Sequence, residues 1–414
     1  MTFSLRKTVV LVAAIAFMAM APVAPEAGNI IFLGIGAAAI LLMRGDALDA
    51  LRRPLVWMSL LALLLLAIAY VLGAGKVDGL IGLAFFAPVF AIWPLVAASS
   101  EPADVAGEPG NSVGMDWAFL FATLAMVGVA GACLVAVNEV LTTMTPRAGE
   151  TVANPIHFAD VALLAGGLSL LGLVSGRGWG RYLFLAGPVF AAIAVVLSGT
   201  RGAVVAFAIM AVVAVAGAAF LRLMSLRQLA LLAIIAVLGV ILAVIFGADE
   251  LSGIQRVLND LADVARVGVP TDTSTDIRLQ MYLGGLRAFL EAPIFGHGPL
   301  TFVTVARDLA DVPFENAPHL HNDLADFAAS AGILGLVAYA LLLLAPVIEV
   351  LRMPAVGGRL PLLVVVMTLM SGYFAMGLTN AMFGILNVTT CFAGICVVVG
   401  VLAGSRGETS AAGN

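Results

Sequence analysis

Pro318-His319-Leu320-His321-Asn322-Asp323-Leu324 opens a run that stays apolar, almost without interruption, to residue 350. A run of that length exceeds the roughly 20 residues an α-helix needs to cross a hydrocarbon core about 30 Å thick. It reads as a membrane span whose first turn leaves the lipid and meets water. The rest of the chain extends the same reading. Of 414 residues 62% are hydrophobic and 11% charged, and the mean hydropathy is +1.11, which a soluble globular domain does not tolerate. Twelve stretches are long enough to cross, near 8–24, 28–43, 54–73, 79–98, 117–138, 155–175, 182–198, 202–221, 228–247, 323–350, 360–380 and 383–403. The expected fold class is therefore all-α: a polytopic membrane protein of about 12 transmembrane helices forming one integral membrane domain over 1–414,.

Charge sets the expected orientation. With the N-terminus inside, the short cytoplasmic loops hold Arg44, Arg52, Arg53, Arg177, Arg181, Arg222, Arg227, Arg352 and Arg359, whereas the short outer loops hold Lys76, Arg147 and Arg201,. The 99–116 loop, with Glu101, Asp104 and Glu108 and no Lys or Arg, lacks that bias. Arg6-Lys7 before the apolar Val9–Met20 suits a cleavable signal peptide as well as a first span,; the span is favoured because it completes an even set. Both termini are then expected in the cytoplasm. Cys133, Cys391 and Cys396 lie in apolar runs at spacings that suit neither zinc nor a disulfide framework,. A net charge of −5 leaves no basic footprint for nucleic acid,.

The 248–321 segment between the ninth and tenth spans is too long for a plain connector and contains helix-like stretches at 254–267 and 277–291,. It reads as an outer lid or active-site loop, with Thr275 or Asp276 expected to cap the second of these helices. Its cations are candidates for binding an anion. Arg201 interrupts two spans in Leu197-Ser198-Gly199-Thr200-Arg201-Gly202, where a guanidinium held at the membrane boundary suggests an anionic ligand, although an arginine snorkelling at a helix end would read the same. Arg278 and Arg287 follow on the loop helix. Guanidinium groups grip phosphate oxygens at two points without a metal; either arginine could instead pair with Asp276 or Glu291.

His321 is the candidate base. The start of a helix carries partial positive charge, which disfavours imidazolium and leaves the ring able to accept a proton. Asn322 or Asp323 can cap this helix, with Asp326 four residues after Asn322 and His319 two before His321,. A surface histidine at a cap, or a metal site built from His319, His321, Asp323 and His297, would use the same residues. The irregular spacing favours a site with no metal and no cofactor.

Taken in order, Ser198-Gly199-Thr200-Arg201-Gly202, Asp276-Ile277-Arg278-Leu279-Gln280-Met281-Tyr282, Pro293-Ile294-Phe295-Gly296-His297-Gly298, His321-Asn322-Asp323-Leu324 and Gly332-Ile333-Leu334-Gly335-Leu336 resemble the O-antigen ligase and O-antigen polymerase superfamily. The resemblance covers residues 197–339. It implies an inverting, metal-independent glycosyltransferase of the GT-C type, acting in the periplasm on a glycan carried by a polyprenyl diphosphate. By position Arg201 and Arg278 match the arginines that hold the diphosphate, and His321 matches the catalytic histidine. Asn322, Asp323, Asp326, Arg287 and His319 are possible supports. An aromatic residue often follows the loop arginine in that family; here Met281-Tyr282 stands there.

Three functions fit these residues. A ligase would move a finished glycan onto a lipid A core sugar in lipopolysaccharide biosynthesis, and a polymerase would join lipid-linked repeat units. The single large outer loop favours the ligase. A twelve-span solute transporter would predict an internal repeat, a long central cytoplasmic loop and charge at mid-membrane; the sequence has no such repeat, a sixth-to-seventh loop of only Gly176–Arg181, and spans that are nearly charge-free. The partners expected are the carrier-linked donor, the lipid A core or another glycan acceptor, and the bilayer; the sequence fixes no oligomeric state.

Overall fold

Lipid offers the backbone no hydrogen-bond partner, so each apolar stretch satisfies its own N–H and C=O groups by coiling. In the computed structural model of the chain, every regular element among the described residues is helical. Those residues are 5–43, 46–74, 77–99, 116–175, 178–223, 273–315, 317–354 and 358–411, with a few isolated positions between 225 and 266. The helices are α1 (Leu5–Ala14), α2 (Pro25–Leu42), α3 (Asp46–Ala50), α4 (Pro54–Ala74), α5 (Ala87–Ser99), α6 (Trp117–Leu141), α7 (Pro155–Ser169), α8 (Leu171–Ser175), α9 (Ala186–Leu197) and α10 (Arg201–Phe220). They continue with α11 (Thr273–Glu291), α12 (Phe302–Leu309), α13 (Asp323–Arg352), α14 (Arg359–Gly377) and α15 (Leu386–Ala411). Two 3₁₀ stretches, Val77–Phe86 and Gly178–Leu185, lead into α5 and α9.

Ten of these helical stretches are long and apolar enough to cross a membrane, and they coincide with ten of the twelve expected spans to within a few residues. The expected first span differs. Its helix passes through a π turn at Ile15–Met20 and stops, because Pro22 cannot donate to the ladder and Pro25 restarts a helix at its first position,. The expected ninth span (228–247) and the loop stretch at 254–267 lie almost entirely outside the described residues, as does the 99–116 loop. All three cysteines are buried and free, as their apolar surroundings predicted. One cluster of buried apolar side chains runs from Val9 to Leu402.

The two ends of the bundle are distinguished by α4 and α13, which pack against each other more extensively than any other pair. At one end Arg53, just before α4, donates to Glu349 near the end of α13. At the other, Gly73 near the end of α4 touches the backbone of Phe295 and Gly296. The start of α13, the start of α10 and the end of α14 share that second end, together with α11 and α12.

Candidate active site at the histidine end

α13 begins as the cap residues dictate. Asn322 is extended, and its Oδ1 accepts from Ala325 N at 3.2 Å, satisfying one of the orphan donors of a first turn. Asp323, the alternative cap, does something else. It is fully buried, and its Oδ1 accepts from the backbone N–H groups of Met382 (2.9 Å) and Phe383 (3.2 Å). This ties the helix start to the 378–385 turn between α14 and α15. Asp326 reaches back to accept from Leu320 N at 2.7 Å. The residues around His321 are thus fixed from both sides.

His321 itself carries a left-handed backbone, φ 55. That conformation is uncommon outside glycine and is retained where the surroundings over-determine it, as they do at functional sites. Tyr282 of α11 donates to the carbonyl of His321 (3.2 Å) and to that of Leu378 (3.3 Å), and Asn322 Nδ2 donates to the same Leu378 carbonyl at 3.2 Å. The loop helix is therefore clasped to the mouth of α13. The His321 N–H donates to His319 Nδ1 at 3.2 Å, and the two rings meet edge to face with centroids 4.3 Å apart.

Three of the four histidines gather here, His157 joining His319 and His321. Burial first, then His321, His157 and Arg278, press His319 down to about 3, which keeps it neutral. His321 is also lowered, by burial and then by the Arg278 cation, while the Asn380 amide pulls the other way as a hydrogen-bond partner. The imidazole Nδ1 is buried without a well-formed hydrogen bond.

Of the arginines, Arg278 joins this cluster, lying close enough to perturb His319, His321 and Tyr282. Arg287 does not. Nine residues make two and a half turns, so it emerges on the opposite side of α11, where it donates to Leu309 O and Asp311 Oδ1, both at 2.7 Å. Its partner is thus Asp311 rather than Asp276 or Glu291. α11 also starts earlier than expected, at Thr273, so Thr275 and Asp276 lie within its first turn instead of capping it. Arg201 is the first residue of α10. Its neighbour Gly202 packs so closely on Thr379 that a methyl there would strike the Thr379 hydroxyl, which sets this turn against the one that meets Asn322 and Asp323. Arg147 supports the same turn by donating to Ser198 O at 2.8 Å.

The glycine-rich pieces have a structural reason. α13 is interrupted at Gly332 (φ 64, ψ −148). The carbonyls of Ala329 and Ser330, released from the helix, accept from His297 N (2.9 Å) and Gly298 N (2.8 Å), and Ile333 N donates to Pro293 O at 2.8 Å. Gly296, also at φ 64, lies directly against Ser330 and Ala331 backbone. The 293–298 turn thus completes the hydrogen bonds of a broken helix. His297, considered above as a metal ligand, bonds through Nε2 to Ala288 O at 2.8 Å. Among the described residues no group of three or more His, Cys, Asp and Glu side chains is arranged to hold a metal ion.

Sequence reasoning missed His157, Asp160, Tyr282 as a clasp, and Asn380. Asp160 is 1% exposed, and its Oδ2 accepts from Asn380 Nδ2 at 3.1 Å. The available signal was the His157-Phe158-Ala159-Asp160 run, two ionisable residues about one turn apart in a span read as nearly charge-free, since such residues in membrane helices mark function by default,.

Residues 186–340 match a family model described as O-antigen ligase. The match takes in Arg201, Arg278, His319 and His321, and leaves His157, Asp160 and Asn380 outside it. A comparison with curated proteins gives no match.

Proposed function

We propose, from the similarity of residues 186–340 to the O-antigen ligase family, that this chain is a periplasmic, inverting glycosyltransferase. It moves a glycan from a polyprenyl diphosphate carrier to an acceptor sugar hydroxyl. The observation that carries the reading is the meeting of a neutral, backbone-strained His321 with Arg278 on a loop helix clasped over it, beside the turn that starts with Arg201.

The chemistry follows from these groups. The acceptor oxygen attacks the anomeric carbon from the face opposite the diphosphate, and the bond from that carbon to the diphosphate oxygen breaks. His321 Nε2 takes the hydroxyl proton, a role that contributes about 10²–10⁴-fold where it operates. The departing oxygen keeps the electron pair, and Arg201 and Arg278 stabilise the developing charge with planar, two-point contacts that need no metal ion. Tyr282, Asn322 and Asp323 act by holding the backbone on either side of the base. The enclosing architecture is a GT-C-like bundle of about twelve spans with both termini in the cytoplasm of a bacterial inner membrane. The domain is single, and its 248–321 loop supplies part of the site from the periplasmic side.

Ligation to lipid A core is the preferred reaction, because one large loop serves the site. Deletion of the gene followed by gel analysis of surface polysaccharide tests this. Loss of glycan from lipid A with accumulation of long carrier-linked chains supports ligation, and accumulation of single repeat units assigns polymerisation instead. An unchanged profile sinks both. Complementation with His321→Ala should fail although the protein is inserted at normal abundance. Transfer should survive EDTA.

A further inference from the structure

Asn380 and Asp160 lie outside the matched region and outside the roles assigned above, yet they form the only side-chain-to-side-chain hydrogen bond described between α7 and the turn beyond α14. Both are almost fully buried, at 2% and 1% exposure. A carboxylate oxygen only accepts, so an amide facing Asp160 Oδ2 at 3.1 Å presents its nitrogen to it and turns its own Oδ1 away,. That Oδ1 is buried without a well-formed hydrogen bond, and so is His321 Nδ1, although the two side chains lie near enough for the Asn380 amide to act on the imidazole. Two buried orphans of complementary type are costly unless they answer each other. The backbone brings them together: Leu378, two residues before Asn380, is held by both Asn322 and Tyr282, and Tyr282 also holds the His321 carbonyl.

We propose that Asp160 and Asn380 are positioning residues that set the tautomer of His321: Asp160 Oδ2 orients the Asn380 amide, and Asn380 Oδ1 accepts the Nδ1 proton. Nε2 is then the lone-pair nitrogen facing the acceptor hydroxyl. The opposite tautomer would put the proton on Nε2 and remove the base. The other charged or titratable groups described against His321 are Arg278 and Tyr282 from α11, His319 from its own segment and His157 from α7; none of them makes a well-formed hydrogen bond to Nδ1. This inference rests on the reading of His321 as the base.

Asp160→Asn tests it with little change of shape. The new amide can donate to Asn380, which then flips and presents Nδ2 to His321 Nδ1, forcing the wrong tautomer. Purified protein assayed with carrier-linked glycan and acceptor lipid extracted from its own membranes should lose turnover by about 10²-fold in Asp160→Asn and in Asn380→Ala, with KM for both substrates nearly unchanged. A merely structural pair would leave isosteric Asp160→Asn near wild type. A second measurement needs no turnover: ¹⁵N spectra of histidine-labelled protein, with the His321 signal identified by its loss in His321→Ala. The native protein should show Nδ1 protonated and Asp160→Asn should show Nε2 protonated. A native signal with the proton on Nε2, or one that Asp160→Asn does not move, overturns the relay even if the variants are unstable. Full loss of transfer in His321→Ala beside near-native Asp160→Asn and Asn380→Ala sinks the relay and leaves the base standing; retained transfer in His321→Ala removes both.

Discussion

Glu349 and His321 stand at opposite ends of α13, and the protein answers their polar atoms in opposite ways. Glu349 Oε1 accepts from Arg53 Nε (2.8 Å) and Nη2 (2.6 Å), and Oε2 accepts from Leu55 N (3.2 Å). The same guanidinium also donates to Gly400 O at 2.6 Å, so one ion pair joins α4, α13 and α15. At the other end His321 Nδ1, Asp323 Oδ2 and Asn380 Oδ1 are buried without well-formed partners, and the backbone of His321 is left-handed. Saturated hydrogen bonding is what a joint requires. Unanswered polar groups and a strained residue, kept in place by Tyr282, Asn322 and Asp326, are what a reacting site tolerates. The comparison teaches that burial of charge alone does not identify function; the state of its partners does.

Substitutions should separate the two ends cleanly. The largest effect is expected for Arg201→Lys and Arg278→Lys, which keep the charge and lose the planar grip on phosphate proposed for these residues: transfer should fall by about 10²–10³-fold while the melting temperature stays at the wild-type value. A matching fall in thermal stability would make these arginines joints, like Arg53. Arg53→Ala should behave in the converse way. It strands Glu349, 6% exposed, without its cation, a loss of about 3–5 kcal/mol for a buried pair. That should appear as a lower unfolding temperature in detergent with normal transfer per folded molecule, and Arg53→Met combined with Glu349→Leu should recover most of it.

Smaller effects sharpen the picture. A histidine is neutral above its pKa and protonated below it, and burial together with Arg278 holds His321 below its ordinary 6.5. The acid limb of the rate profile should therefore lie under pH 6.5, with transfer sustained through that value. Arg278→Gln removes the second of those causes, and in its residual activity the limb should move upward; an unmoved limb would mean that the titrating group is not His321. The smallest change is expected for Arg287→Ala. Its pair with Asp311 is exposed on both sides, so neither transfer nor melting should shift measurably.

How much of this was legible in the sequence depends on the range over which the determinant acts. The spans were legible because hydrophobic length is local, and so was a cap at Asn322 or Asp323; that the glycines at 296 and 332, read in separate pieces, meet in one break of α13 was not. Arg278 and His321 could be nominated from the polar segments on which they lie. His157, Asp160 and Asn380 could not be joined to them, because α7 and the turn after α14 meet only through packing across more than two hundred residues of chain. Arg287 was legible as a solvated-face charge, but its partner was not, because Asp311 lies beyond α12 and no helical spacing points there. The helix of the first span ended early where Pro22 and Pro25 override a hydropathy that continues through them.

The break at Gly332 also sets a depth. The twenty-one residues from Gly332 to Arg352 rise by about 30 Å, enough to match a hydrocarbon core by themselves. The nine before it, Asp323–Ala331, are the polar part of α13 and add about 13 Å,. If the longer piece fills the hydrocarbon core, this short half-helix carries His321 as on a pedestal, level with the headgroup layer rather than the acyl chains. A carrier whose tail stays dissolved in the bilayer would meet the imidazole without being lifted out of it, and an acceptor arriving from water would meet it without going in.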